Sequence, residues 1–303
     1  MRNPIIHRNR STGYAFAFLA TIAGSTVYIF SKAALNEVSL PQFGVYWFSL
    51  ALVWNIIFIR ATSGKLFTAK VTNHALYALG RIGIYELVAT TCFYAAIAQA
   101  DNAAVPSFLR NSEYIFVTLL GVYLLGEKFG RREIAGILMT FTGVLVISFQ
   151  KNASFGDYLH GSSGLMLVST AFYALRTLGA KKNIEDVTPS ALAINRALFL
   201  LAFALISLLV MRQSWIIPQK ALLNIAIGSF FGPFLTSIGQ YSALKYFEAS
   251  RTAIIQSTTA LFVLLGAYLY FGRLPLMYQV IGGLFTIAGT VLLMSGSLKR
   301  LRH

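Results

Sequence analysis

The segment VPSFLRNSEYIFVTLL, Val105 to Leu120, reads as a lipid-embedded helix, yet it carries an arginine and a glutamate three residues apart. Arg110 and Glu113 are i, i+3 neighbours and share a helix face. A charge at the bilayer centre costs roughly 2.5–3.5 kcal/mol on insertion scales, so such groups face a cavity or each other. What surrounds this stretch decides which.

The surroundings are lipid-like throughout. Of 303 residues, 56% are hydrophobic and 12% charged, with a mean hydropathy of +0.67. Soluble domains carry about twice that share of charge, so the composition predicts an integral membrane protein. Ten segments are long and apolar enough to span a bilayer: 12–35, 42–60, 76–98, 103–125, 132–150, 162–180, 189–211, 222–245, 250–271 and 275–296. The longest linker, 149–164, falls at the midpoint and divides the chain into halves 1–150 and 151–303. The basic start MRNPIIHRNR leads into a run too long for a signal-peptide core and without a clear A-x-A site, so it reads as the flank of the first span.

The net charge of +15 is dispersed over short loops, with no basic face interleaved with aromatics, which argues against nucleic acid. Sixteen lysines and arginines fall at the ends that are inside if the N-terminus is cytoplasmic, and five at the others. The positive-inside rule then places both termini in the cytoplasm. Four histidines near segment ends or in loops and one cysteine, Cys92, give no disulfide framework and no metal site.

GILMTFTG (136–143) repeats in GGLFTIAG (282–289): Gly136, Leu138, Thr140 and Gly143 match Gly282, Leu284, Thr286 and Gly289. Phe116, Val117, Leu119 and Gly126 match Phe262, Val263, Leu265 and Gly272 at the same offset. After a slip of one residue, Tyr94, Ala96 and Asp101 match Tyr241, Ala243 and Glu248. Two five-span halves insert with opposite orientation, a common construction of secondary transporters. The glycines Gly136, Gly143, Gly282 and Gly289 read as helix-packing residues, because close approach in lipid relies on small side chains.

Ten spans in two halves, with YLLGEKFGRREIAGILMTFTGVLVIS (123–148) and YLYFGRLPLMYQVIGGLFTIAGTVLLMS (268–295), resemble the drug/metabolite transporter superfamily and its EamA-type branch. The resemblance covers essentially the whole chain. It implies an all-helical fold of two inverted repeats, a substrate pathway lined by both halves, alternating access and a lean toward export. Two features depart from the family pattern. Tyr114 and Ala260 stand where a proline is frequent, and Arg273 replaces the second-half glutamate.

Charged residues near span centres are the candidate substrate site. Glu86 and Glu113 sit at comparable depth on a hairpin of two spans, Arg110 shares the face of Glu113, and Arg196 is the second half's candidate cation. Arginine suits bidentate recognition of a carboxylate or phosphate, and Glu86 or Glu113 is the candidate for proton coupling. The alternative is structural: Arg110 neutralises Glu113, and Glu86 pairs with Arg81. Lys32 and Arg176 lie near span ends and are expected to snorkel. Asn111, Gln240, Gln256, Tyr28, Trp47, Tyr85 and Tyr241 are candidates to complete the cavity.

No G-x-S-x-G, no H-E-x-x-H and no mid-span histidine is present, which argues against an intramembrane enzyme. No Walker A motif is present, which argues against ATP-driven transport by this chain alone. The expectation is a multi-pass protein of the cell membrane, most simply a bacterial inner membrane, monomeric or homodimeric and without a bound cofactor. It moves a small polar organic solute such as an amino acid, or alternatively a phosphorylated or nucleotide sugar.

Overall fold

A computed structural model describes residues 10–62, 72–99, 110, 112–148, 161–259, 262–263 and 277–299. Among these residues the regular structure is helical, in ten elements: α1 (Arg10–Leu35), α2 (Leu40–Ala61), α3 (Asn73–Gln99), α4 (Ser112–Leu125), α5 (Arg131–Ser148), α6 (Gly161–Lys182), α7 (Pro189–Val210), α8 (Gln219–Ala243), α9 (Ala249–Ser257) and α10 (Met277–Lys299). Five of them, α1, α2, α3, α7 and α8, are long and apolar enough to cross a membrane by length and composition. Shorter apolar stretches lie in α4 and α10. Large apolar side chains such as Leu138, Ile206, Leu209 and Val291 are exposed, as a lipid-facing surface requires. The chain is a multi-pass membrane protein. The remaining parts of the predicted fourth and ninth segments lie outside the described residues.

Local chemistry sets the helix starts. Ser39 caps α2 in a reciprocal capping box with Gln42, and Pro41 occupies the first turn. Thr188 caps α7 through the Ala191 amide, with Pro189 at the first position.

The packed pairs include α5 with α10, α3 with α6, α1 with α8, α2 with α7, α4 with α6, α2 with α8, α4 with α9, α3 with α7, and α9 with α1. Exchanging each helix with the one five places along the chain maps this set onto itself. The same exchange relates two lysines. Lys32 at the end of α1 donates to the Ile97 carbonyl at the end of α3, at 3.2 Å. Lys181 at the end of α6 donates to the carbonyls of Leu244 (2.7 Å) and Phe247 (2.6 Å), just past the end of α8. Both cations therefore cap helix C-termini, where backbone carbonyls lack partners. Lys32 is part-buried in this contact instead of reaching only for headgroups.

The glycines behave as packing residues. A Cβ built on Gly136 falls 2.6 Å from the Leu293 amide nitrogen, and one on Gly289 falls 2.7 Å from the Gly136 carbonyl oxygen. α5 and α10 touch backbone to backbone there, with Thr140 and Thr286 folding their hydroxyls onto their own helix carbonyls.

α8 contains a π-turn over Phe230–Thr236 with Pro233 inside it. Proline has no amide hydrogen, so it cannot continue the hydrogen-bond ladder. The Thr236 hydroxyl donates to the Phe231 carbonyl within the widened turn, 2.8 Å away. The widened turn presents Gly232 and Thr236 toward the middle of the molecule.

The turn between α4 and α5 reaches across to α9. Glu127 accepts hydrogen bonds from the amides of Ala249 (2.8 Å) and Ser250 (3.1 Å), so a buried carboxylate caps that helix. Burial pushes the Glu127 carboxyl above the ordinary carboxylate range, against those hydrogen bonds, which pull it down. Next to it, Arg251 pairs with Glu133 at 2.7 Å.

Candidate functional site

The centre of the molecule is an ion cluster built on Glu86. α3 places this residue mid-helix, fully buried, against both α6 and α7. Arg196 Nε of α7 lies 2.9 Å from Oε1, and Arg176 Nε of α6 lies 3.1 Å from Oε2. The Thr90 hydroxyl, one helical turn along α3, donates to Oε1 at 2.9 Å. The Tyr241 hydroxyl of α8 donates to Oε2 at 3.4 Å. Because Thr90 spends its proton on Glu86, the 2.8 Å contact between Thr90 and Tyr173 leaves the tyrosine as donor.

Arg176 extends the network. Its NH1 donates to the Gln240 amide oxygen at 2.9 Å, and its NH2 lies 3.7 Å from Glu113 Oε1. Glu113 also contacts Arg110 directly. Arg196 NH1 donates to the Ser237 hydroxyl at 3.1 Å, just past the π-turn. Aromatic faces cover the cations. The Arg110 guanidinium stands 4.4 Å from the Tyr173 ring centroid, and that of Arg176 stands 5.0 Å from the same ring.

Three arginines thus meet two glutamates, so the cluster carries one positive charge in excess. Beside it is a cavity of about 80 Å³, walled by Arg110, Arg176 and Arg196 together with Tyr28, Gln240 and Gln256. That volume holds several waters at roughly 10–15 Å³ each. The arrangement offers guanidinium donors to an anionic group and amide and phenol groups to polar atoms beyond it.

The structure brings Glu86, Arg110, Glu113, Arg196, Gln240 and Tyr241 into one network, with Tyr28 and Gln256 on the cavity wall. It leaves two aromatics elsewhere. Trp47 is buried with its ring 4.6 Å from that of Phe43, and Tyr85 packs 6.2 Å from Phe172; neither lines the cavity. Asn111 lies outside the described residues. Arg81 sits 6.0 Å from the Tyr77 ring, so the partners of Glu86 are Arg176 and Arg196 rather than Arg81.

Arg176 does not snorkel: it is 1% exposed and central. The last turns of α6 before its lysines, Arg176 to Ala180, are buried against the neighbouring helices, so nearness to the helix end does not give the arginine a way to the headgroups. Thr90, Tyr173, Ser237 and the π-turn join the site without being among the residues expected from the sequence. The legible signals were Pro233 inside an apolar run and the i, i+3 spacing of Tyr173 and Arg176.

The description "EamA-like transporter family" fits residues 11–149 and again residues 162–295. An uncharacterized transporter of Archaeoglobus fulgidus is 28% identical over 284 residues, covering 89% of this chain and 92% of that protein. One from Clostridium kluyveri is 25% identical over 296 residues, covering 95% and 94%. A solved crystal structure superposes with a TM-score of 0.73 at 14% identity, covering 94% of this chain and 98% of its own, and so shares the fold. With both matches together spanning nearly its full length, the chain belongs to the EamA-like transporter family.

Proposed function

We propose that this chain is a secondary transporter for a small polar organic solute bearing an anionic group, such as an amino acid, bound at the Glu86 cluster. Ten helices in two inverted halves, 1–150 and 151–303, alternate access to that site, with both termini cytoplasmic. Release to the outside is the direction implied by the family resemblance. The observation that carries the reading is the surplus arginine beside a polar cavity: a buried cationic excess is offset when an anion enters. The symmetric helix pairing and the twofold family match support the two halves. Arg110, the most accessible of the three arginines at 17% side-chain exposure, is the first contact for the anion. Glu86 holds Arg176 and Arg196 in place. Glu113, which shares Arg110 with the cavity edge, carries the coupling proton.

A thermal-shift screen of carboxylate and phosphate metabolites against purified protein identifies the solute. Proteoliposome uptake then tests the site. Arg110→Gln abolishes uptake while the melting temperature stays within a few degrees of wild type. Glu113→Gln leaves residual uptake that no longer varies with pH. Wild-type uptake indifferent to pH overturns the proton assignment, and undiminished uptake in Arg110→Gln overturns the site.

Three clustered arginines also favour a second reading, a phosphorylated or nucleotide sugar exchanged for another anion. Counterflow driven by internal phosphate separates it from the first.

A further inference from the structure

A second cavity, of about 280 Å³, lies between α2, α3 and α7. Its lining is apolar apart from a few hydroxyls and contains no charged side chain. Along α7 it runs from Leu200 to Met211, which at 1.5 Å per residue is about 16 Å, half the thickness of a hydrocarbon core. Its inner end is walled by Thr90 and Tyr94, and Tyr94 also lines the polar cavity. Its outer rim is Leu40 and Pro41 from the start of α2 and Met211 from the end of α7. Side-chain contacts knit that rim together: Ser39 meets Gln213, and the Gln42 amide donates to the Ser214 carbonyl at 2.9 Å. Phe203 and Met211 are exposed beside it on the lipid-facing surface.

The residue that follows Met211 breaks a local rule. Arg212 has a φ of 50°, the left-handed conformation, directly after the cap of α7. The Gln213 amide reaches back to the Leu208 carbonyl at 3.1 Å, closing the turn. Glycine is the usual residue at such a position, and a long β-carbon-bearing side chain there costs backbone energy. Here an exposed arginine occupies it, and no ion pair engages it among the described residues. A cation at a glycine position, directly after the rim residue Met211 of a half-bilayer-deep apolar slot, points to an amphipathic anion.

We infer that this slot binds one acyl chain of an anionic bilayer phospholipid, whose headgroup phosphate is held by Arg212. The lipid tail then ends against Thr90 and Tyr94, one side chain away from the Glu86 cluster. The site stands independently of which solute the chain carries.

Native mass spectrometry of the full chain, titrated with long-chain phosphatidylglycerol, tests this. Wild type retains one tightly held lipid. Arg212→Gly keeps the favourable cap geometry but binds about fivefold more weakly, the effect of one basic residue at a membrane surface. Ala204→Trp fills the slot and removes the tight lipid. Lys220→Gln, which alters an exposed cation on the same face, leaves it in place. Equal lipid retention in wild type, Arg212→Gly and Ala204→Trp overturns the inference. Should Ala204→Trp fail to fold, the chain length decides: a six-carbon phosphatidylglycerol binds much more weakly than a sixteen-carbon one. Equal binding of the two overturns the slot. A phosphate-insensitive slot that instead competes with the transported solute assigns the cavity to that solute's apolar part and overturns the lipid.

Discussion

Two extensively packed helix pairs, α5 with α10 and α3 with α6, are held together by opposite means. Where α5 meets α10, backbones touch over Gly136, Gly143, Gly282 and Gly289, and the threonine hydroxyls bond within their own helices. Where α3 meets α6, polar groups bond between helices: Glu86 to Arg176, Thr90 to Tyr173, and Ser169 to the Ala89 carbonyl at 2.7 Å. The first contact is one of shape and has a single good arrangement. The second is a set of exchangeable donors and acceptors that a ligand can re-partner.

Removing the hub of the polar pair has the largest effect. Glu86→Ala leaves Arg176 and Arg196 buried without their shared carboxylate, and losing one partner of a buried ion pair costs about 3–5 kcal/mol. Unfolding of the purified protein in a denaturant series reads this directly. An unchanged midpoint means that water already reaches the cluster, which erases the contrast with α5 and α10.

Crowding the shape pair comes next. A Cβ at Gly143 falls 2.5 Å from the Gly282 carbonyl oxygen, and overpacking of this kind costs about 1–3 kcal/mol. Gly143→Leu therefore lowers thermal stability while sparing the affinity for solute. Glu86 variants are expected to change both, so measuring both quantities sharpens the comparison.

The smallest effect concerns the clamp between the α4–α5 turn and α9. The Glu127 carboxyl has its pKa raised in the closed contact, so it binds a proton more tightly there than in water. The contact is strongest below the ordinary carboxylate range and weakens as pH rises through the raised value. Hydrogen exchange of the Ala249–Thr252 amides, corrected for intrinsic rates, should speed up a few-fold across that window. Glu127→Gln flattens the response. A response unchanged in Glu127→Gln overturns this assignment.

The membrane class was readable because apolar runs of about twenty residues have few alternatives. The starts of α2 and α7 were readable to within a few residues because Ser39 and Thr188 cap where the hydropathy changes. Glu86, Arg110, Glu113 and Arg196 were readable as a group because charge in lipid has few outlets. Arg176 was not, since its place near the end of an apolar run does not reveal that the last turns of α6 pack inside the protein. Trp47 and Tyr85 were assigned to a cavity they do not line, because helices apolar on every face give no pattern that reveals which way a ring points.

The repeat has one further consequence. Carrying Tyr94 onto Tyr241 sets Pro233 opposite Glu86, so the second half contributes a widened turn where the first contributes an acid. In the alternating-access cycle proposed above, identical halves would make the inward- and outward-open forms isoenergetic by symmetry. Divergence at the central position would remove that degeneracy, so one form would be the ground state and bound solute would supply the difference needed to populate the other.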